Sequence, residues 1–340
     1  MPFLLGLACC LADPQSPADA LEVAIATVEQ QEREIRSWRL EYKTTARTRS
    51  LGLDGKMGGQ RSEFVELRSG DMYRSSMKTQ SDAETKGADD VVENAFDGTG
   101  SSQFHPEAGR GGIKSARGHD PAFLSLVYTT DRPLSEMLKR AAESDSARWV
   151  ESRGRALLEC RVDERNGLWR IYQLDPRQGW QPVRVVLDHP PLAGPSGEPS
   201  REVLTVDVLE FFQRDAVFVP KMAHRVIDRF EGQRAGVRDY EMQVVASSLE
   251  LNPQVAASDF RIAFPEGTEV FDKDRRVLFT VGPNGEELSV RHVPASGAKG
   301  PVQAGGLWIW WADSRIWLAV SLAVCGLMAG IVWRQRRQHT

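Results

Sequence analysis

Cysteine is scarce in this chain, and none is placed to form a disulfide within the central region. The sequence has four cysteines in 340 residues. Cys9 and Cys10 lie near the start, Cys325 lies near the end, and Cys160 stands alone between them. No CxxC or Cys/His pair has the spacing of a zinc site. We therefore expect Cys160 to be a small buried apolar residue.

Positive charge is also in short supply. The chain has 43 Lys and Arg against 47 Asp and Glu, a formal net charge of −4. Three of the positive charges, Arg334, Arg336 and Arg337, lie at the C-terminus. Nucleic acid is not expected as a partner, because phosphate binding needs a basic face on the folded body. Hydrophobic residues at 41% and charged residues at 26% are typical of a globular protein with a sizeable core.

Motifs of known catalytic chemistry are missing. The sequence has no GxSxG, HExxH or Walker A motif, and its six histidines show no metal-ligand spacing. The acid pairs Glu63/Glu66 and Asp207/Glu210 leave an acid/base pair open, but we expect them to be solvated on outward strand faces. The glycine-rich run at 109–112 could cradle an anion, although no helix follows at the right distance. We expect no enzyme activity, no cofactor and no metal.

One long uncharged apolar run stands near the C-terminus, from Trp317 to Trp333. At ~1.5 Å per residue it covers about 25 Å, slightly less than a ~30 Å hydrocarbon core. Tryptophans flank it on both sides, as in an interfacial aromatic collar, and the basic tail follows. The alternative, a buried core helix or strand, rarely has both features. The predicted anchor residues are Trp317, Leu318, Val320, Leu322, Val324, Leu327, Ile331, Val332 and Trp333.

The basic tail predicts the orientation of this membrane helix. By the positive-inside rule, Arg334, Arg336 and Arg337 place the C-terminus in the cytoplasm and the body outside it. Within the helix, Gly326 and Gly330 form a GxxxG motif that allows a helix–helix dimer. Small residues are common in such helices, so the motif alone is weak evidence for a dimer.

The N-terminus resembles a secretory signal, with an apolar run from Phe3 to Leu11 followed by small residues. No Lys or Arg precedes the run, which indicates either a minimal signal or a start codon upstream. The sequence before Cys10 approaches a lipobox, which leaves lipidation of Cys10 open.

We predict five segments along the chain: a signal-like segment at 1–20, an extracytoplasmic domain at 21–293, a linker at 294–306, the collar and membrane helix at 307–333, and a cytoplasmic tail at 334–340. The expected location is the bacterial inner membrane, with one span and a periplasmic body.

The body shows a helical period at about 18–36 and again at about 120–142. Elsewhere, alternation of apolar and polar residues predicts strands, beginning at Trp38. Loops are expected at 78–90, at the glycine-rich stretch 109–118 and at 190–200. The fold class is therefore α+β, a curved antiparallel sheet covered by helices, plus one C-terminal transmembrane helix.

Short motifs in a common order resemble the LolA-like family, and especially the larger outer membrane lipoprotein-sorting proteins. They are spread over roughly residues 20–290. The matching pieces are Trp38-Arg39-Leu40-Glu41-Tyr42, Gly70-Asp71-Met72-Tyr73-Arg74, Phe96-Asp97-Gly98, Leu174-Asp175-Pro176, Val217-Phe218-Val219-Pro220, Asn252-Pro253, Asp259-Phe260 and Phe264-Pro265-Glu266-Gly267. The resemblance implies a β half-barrel with helices on its concave face and an apolar cavity for acyl chains. It supplies no ligand residue that maps onto this sequence, and typical carriers are soluble whereas this chain is predicted to be tethered.

Two functions remain open from the sequence. The first is a membrane-anchored binding module for lipid or lipoprotein acyl chains that sorts or hands over lipoproteins at the membrane. The alternative is a ligand-free sensor or protein-interaction ectodomain of an envelope signalling or assembly system. The strand aromatics fit core packing and cavity lining equally well. They are Trp149, Trp169, Trp180, Phe211, Phe212 and Phe218.

Overall fold

The computed structural model describes residues 16–49, 58–81, 90–117, 122–130, 132–164, 167–193, 199–231 and 236–294. Contacts within the chain separate a unit ending at Val293 from the residues that follow it. The predicted membrane anchor, GxxxG pair, basic tail and most of the signal-like segment lie outside the described residues. In the described part of the chain, no helix is long and apolar enough to cross a bilayer.

Three helices and seventeen strands build the described body. The helices are α1 (Pro17–Glu34), α2 (Phe123–Tyr128) and α3 (Leu134–Glu143). Six strands precede α2: β1 (Ser37–Thr48), β2 (Gly58–Ser69), β3 (Met72–Ser81), β4 (Asp90–Phe96), β5 (Ser101–His105) and β6 (Arg110–Lys114). The strands after α3 are β7 (Arg148–Ser152), β8 (Arg155–Asp163), β9 (Trp169–Asp175), β10 (Gln181–Asp188), β11 (Leu192–Ala193), β12 (Pro199–Arg214), β13 (Val217–Glu231), β14 (Val237–Leu251), β15 (Glu269–Asp272), β16 (Val277–Val281) and β17 (Glu287–His292).

All strands belong to one open, curved sheet. From one edge the order is β17, β16, β15, β6, β5, β4, β3, β2, β1, β14, β13, β12, β10, β9, β8 and β7, with β11 also paired to β12. Every pairing is antiparallel except that of β15 with β6. The predicted α+β class with an antiparallel sheet is confirmed.

Helix α1 forms where the sequence predicts it. Ser16 caps its start by accepting a hydrogen bond from the Asp19 amide over 3.1 Å, and a proline occupies the first turn, where its missing N–H costs nothing. One stripe of the helix, including Leu21, Ala24 and Val28, is buried. The exposed face carries charged residues, so α1 packs as an amphipathic helix.

The second helical block is two helices with a break between them. Thr129 ends α2 with a φ of +58°, which stops the helical hydrogen-bond ladder. Pro133 then precedes α3. Buried residues of all three helices share one core with one face of the sheet. On β1 this face carries Leu40, Tyr42 and Thr44, while Arg39 and Lys43 point to the other side.

The loop expected at 109–118 is partly wrong. The glycine-rich stretch 109–118 contains a strand, β6, rather than only a loop. A Cβ at Gly111 would meet the ring of Phe264 at 2.4 Å, so glycine there allows the close approach of that ring. Phe260, Ile262 and Phe264 alternate along the chain but lie outside the strands. Phe260 ends a 3₁₀ helix at Ala257–Phe260, and the irregular backbone after it carries Ile262 and Phe264 into two small clusters beside the main core.

Candidate functional site

The helix-covered face of the sheet is made of side chains in register across neighbouring strands. One row crosses from Tyr172 to Val185, Val206, Arg225 and Met242. The apolar members of this row are 4% exposed or less. Arg225 therefore occupies a position at which its neighbours in the row predict an apolar residue.

The next row along the same face has the same pattern. It runs from Arg170 to Leu187, Leu204, Ile227 and Tyr240. Arg170 is 8% exposed and is the charged member of this row. Arg225 thus lies on β13 and Arg170 on β9, one register row apart. Leu187 of β10 and Leu204 of β12 lie between these two strands.

Helix α2 lies over β12 and β13 and is held by polar contacts near both ends. At its start, the buried amide of Phe123 donates to Oε2 of Glu66 over 2.8 Å. Near its end, Arg225 Nη1 donates to the Leu126 carbonyl over 3.3 Å, and the Tyr128 hydroxyl donates to Gln181 Oε1 over 2.7 Å. A six-residue helix has little stability of its own, so its position depends on these contacts and on the packing beneath it.

Glu66 is the anchor for the start of α2. Its carboxylate also accepts hydrogen bonds from Trp38 Nε1 at 3.2 Å and Arg68 Nε at 2.5 Å. Glu66 is 1% exposed, so the expectation that it is solvated is wrong. Its strand position faces the helices, and the buried charge is compensated by these donors. Glu63 is exposed and paired with Lys43 on the other face, as expected.

A second polar link joins α1 to the sheet and, through it, to α2. Gln31 is 3% exposed and donates to the Gly179 carbonyl over 2.9 Å. Its Oε1 accepts from Gln181 Nε2 and from the Phe218 amide, both at 3.1 Å. Because Gln181 also accepts from Tyr128, one chain of hydrogen bonds connects α1, β10 and α2. Burial raises the pKa of Tyr128 well above its usual value, so its hydroxyl remains a donor.

A pocket of about 330 Å³ opens beside α2 directly onto the two rows. Its seven lining residues are Ser125, Thr129, Thr130, Arg170, Leu187, Leu204 and Arg225. The helix side supplies hydroxyl groups, the sheet side supplies two leucines, and two arginines complete it. None of the seven carries a carboxylate, so the lining charge is positive.

A larger depression of about 510 Å³ lies at the end of α1. It is lined by Gln30, Arg33, Glu34, Arg36 and Asn252, all polar. Asn252 clamps the helix end there: its Oδ1 accepts from the Arg36 amide at 2.8 Å and its Nδ2 donates to the Glu34 carbonyl at 2.9 Å. This depression lies between the end of α1 and the end of β14, and no hydrophobic side chain lines it.

The space between the helices and the sheet is filled by side chains in the described residues. Tyr42 stacks on Phe64 at 4.5 Å and meets Phe123 of α2 at 5.0 Å between ring centroids. Phe123, Leu158 and Tyr172 are each 1% exposed or less. The pocket beside α2 is therefore a local opening at the edge of a packed interior.

The aromatics expected on strands divide between the two faces. Trp149, Trp180, Phe211 and Phe212 pack, half-buried, against the main core. Trp169 lies on the opposite face from Arg170, where the guanidinium of Arg161 covers its ring. None of these lines the pocket beside α2. The sequence-based reading of these residues as core is supported for the four that join the core.

Residues considered for chemistry do not converge. His105 is half-buried at the end of β5, where burial lowers its pKa, and His224 lies 2.9 Å from Glu241 on the strands β13 and β14. Asp207 faces Arg153 and Arg184 in ion pairs. In the part of the chain that the structure describes, no three His, Cys, Asp or Glu side chains group as metal ligands. Arg170 and Arg225, which line the pocket, were not singled out from the sequence.

No protein-family model matches the sequence, and no curated protein matches it. Several solved structures are similar to the structure of this chain. A DUF1329 family protein from Desulfovibrio piger is 10% identical, with a TM-score of 0.41 over 72% of this chain and 98% of that one. A putative outer membrane lipoprotein-sorting protein domain from Vibrio parahaemolyticus is 12% identical, with a TM-score of 0.38 over 71% and 97%. A LolA superfamily protein from Nitrosomonas europaea is 11% identical, with a TM-score of 0.33 over 72% and 99%. The second and third of these names belong to the family that the sequence motifs resemble.

Proposed function

We propose that this protein binds the apolar chains of a lipid or lipoprotein at the helix-covered face of its sheet, beside α2, while anchored in a membrane. The observation that carries the proposal is the pocket that opens onto the two register rows, with Leu187 and Leu204 as its apolar wall. This is the ligand class that the motif resemblance implied.

The pocket volume sets the length of chain that fits without rearrangement. About 330 Å³ is at the lower end of the ~300–1,000 Å³ range of small-molecule sites. It therefore accommodates a short part of an acyl chain. Each buried methylene contributes roughly 0.8 kcal/mol, so about eight methylenes contribute roughly 6 kcal/mol. A longer chain requires α2 to move off the face, which would expose the buried side chains of Phe123, Val127 and Tyr128.

The membrane anchor is the second part of the proposal. It rests on the uncharged run Trp317–Trp333, its flanking tryptophans and the basic residues that follow. A variant that ends after residue 306 is expected to be released from the membrane fraction by alkaline carbonate, whereas the full chain stays in the pellet. Equal release of the two proteins would refute the anchor. The predicted orientation, with the body periplasmic in the bacterial inner membrane, suits local sorting or handover of a lipoprotein.

The acyl-chain site is tested by photolabelling the full-length protein in lipid nanodiscs. The probe is a palmitic acid that carries a diazirine in its chain. We expect peptides of α2, β12 and β13 to be labelled, and unlabelled palmitate to compete. Leu204→Trp fills the pocket wall and is expected to reduce the labelling.

The matched control uses the same substitution on the same strand. Leu209 is 49% exposed and does not line the pocket, so Leu209→Trp is expected to label like the wild type. Failure of the wild type to label these peptides would overturn the proposal. Equal labelling of the two tryptophan variants would show that the pocket is not the site.

The filled interior favours a second candidate function, a sensor or protein-interaction ectodomain that uses the same fold without a lipid. A packed core beneath the helices is what this alternative requires. In this candidate the signal would pass through a partner protein. This candidate predicts that the wild-type protein shows no saturable labelling by the palmitate probe.

A further inference from the structure

Arg225 is a partly buried cation, and no carboxylate of the described residues pairs with it. Its Nε is inaccessible to solvent and has no hydrogen-bond partner among the described residues. Its one hydrogen bond within the described chain is the long contact of 3.3 Å to the Leu126 carbonyl. Desolvation of the guanidinium lowers the pKa of Arg225. A guanidinium with five N–H donors and one such contact is poorly satisfied.

Arg170 supplies a second positive charge that is only partly neutralised. Its Nη1 lies 3.2 Å from Glu164, and Arg140 lies 3.2 Å from the other oxygen of the same carboxylate. Two arginines that share one acid leave a net positive charge. The Nε of Arg170 is buried and has no hydrogen-bond partner either. Unpaired buried donors are costly in a native structure. A ligand that accepts hydrogen bonds from these N–H groups would therefore gain binding free energy.

The arrangement of the pocket is amphiphilic. The arginines and the hydroxyls of Ser125, Thr129 and Thr130 provide donors, and Leu187 and Leu204 provide the apolar wall. A ligand that satisfies both parts carries an acceptor with negative charge and an apolar chain attached to it. Charged hydrogen bonds of this kind, with arginine as donor, are the strong ones.

We propose that the pocket formed by Arg225 and Arg170 binds the anionic group, a carboxylate or phosphate, of an amphiphile whose chain lies against Leu187 and Leu204. This inference rests on the proposed function and names the headgroup chemistry of its ligand. Arg225 is the main anion-binding residue, because Arg170 is already partly neutralised by its ion pair with Glu164. The anion belongs to the lipid itself.

The test compares the diazirine palmitic acid with its methyl ester on the full-length protein in nanodiscs of neutral lipid. The two probes share a chain and differ in charge. The acid is expected to reach half-saturation of the β12 and β13 peptides at a concentration roughly ten- to a hundredfold lower than the ester. Arg225→Gln is expected to remove this difference by weakening labelling by the acid to the level of the ester. Arg170→Gln is expected to reduce the difference by less.

The matched control is Arg184→Gln on β10. Arg184 alternates with the buried Val185 and Leu187, points to the other face and pairs with Asp207 at 3.7 Å. Arg184→Gln is expected to keep the full preference for the acid over the ester. Arg225→Lys retains the positive charge and is expected to keep part of this preference. Urea unfolding of each variant shows that the fold is kept.

The outcomes separate the two proposals. Equal labelling of the wild type by acid and ester would overturn the anion pocket and leave the acyl-chain function standing. Absence of saturable labelling by either probe would overturn both. Inorganic phosphate at the same concentration as the acid probe is expected to leave labelling by the acid unchanged. Displacement of the acid by phosphate would show that the pocket takes a free anion and would overturn the assignment to a lipid.

Discussion

Replacement of Glu66 by alanine is expected to release the start of α2. The carboxylate accepts from the Phe123 amide, the Trp38 indole and the Arg68 guanidinium, and it is 1% exposed. In Glu66→Ala the Phe123 amide at the start of α2 stays buried without its acceptor. The perturbation therefore tests whether one side chain of β2 holds a helix that is distant in sequence.

The size of the effect follows from the burial of the charge. Removing one partner of a buried ion pair costs about 3–5 kcal/mol. For a chain of this size that corresponds to a fall in the melting temperature on the order of 10 °C. Glu66→Gln keeps an acceptor oxygen and loses the charge, so it is expected to cost less, about 1–3 kcal/mol.

The assay is urea unfolding followed by tryptophan fluorescence, together with hydrogen exchange of the α2 amides. In Glu66→Ala the Phe123 amide is expected to exchange faster than in the wild type. Glu63 gives the matched control, since it lies on the same strand and faces solvent in an ion pair with Lys43. Glu63→Ala is expected to cost about 0–1 kcal/mol.

A loss in Glu66→Ala within about 1 kcal/mol of the Glu63→Ala loss would refute the reasoning, because exposed pairs are worth no more than that. Unchanged exchange at Phe123 would refute it as well, even if stability fell. In that case Glu66 would stabilise β1 and β2 through Trp38 and Arg68 and would have no hold on α2.

Three further predictions concern other parts of the body. Gln31→Ala leaves the Gly179 carbonyl and the Phe218 amide without their partner, and urea unfolding is expected to show a loss of about 2–3 kcal/mol. Burial raises the pKa of Cys160 to about 12, so at pH 8 its peptide is expected to be alkylated by iodoacetamide in urea and spared in the folded protein, as read by mass spectrometry. Hydrogen bonds from Thr99 and Gly100 hold the pKa of Asp97 well below its usual value. Its stabilisation is therefore complete above pH ~4 and lost as the pH falls further, and Asp97→Asn is expected to show a smaller fall in the urea midpoint between pH 4 and pH 2 than the wild type.

The elements that follow a clear period could be predicted from the sequence. The helix expected at about 18–36 is observed at Pro17–Glu34, and the alternation that starts at Trp38 is strand β1. In both cases the buried face is set by residues close in sequence. Strand β6 was missed because glycines carry no apolar pattern. It pairs with β5 and with β15, which lies far along the chain, and the Phe264 ring occupies the space beside Gly111.

The candidate site could not be predicted, because its residues break the pattern that identifies strands. Glu66, Arg170 and Arg225 are charged residues on a buried face, and a sequence gives no sign of which charged residue turns inward. Each burial depends on a polar partner that the strand pattern does not reveal: the Phe123 amide for Glu66, and Glu164 for Arg170. For Arg225 the described residues supply the Leu126 carbonyl and no carboxylate, and the anion pocket is inferred from this missing charge partner.

Native mass spectrometry of the full-length protein, extracted from its own membrane in a mild detergent, tests the central claim most directly. We expect a population heavier than the bare chain by the mass of an anionic lipid or an acylated peptide. That population is expected to diminish in Arg225→Gln and Leu204→Trp and to persist in Arg184→Gln. A wild-type protein that carries no lipid, and acquires none when incubated with palmitate, would contradict it.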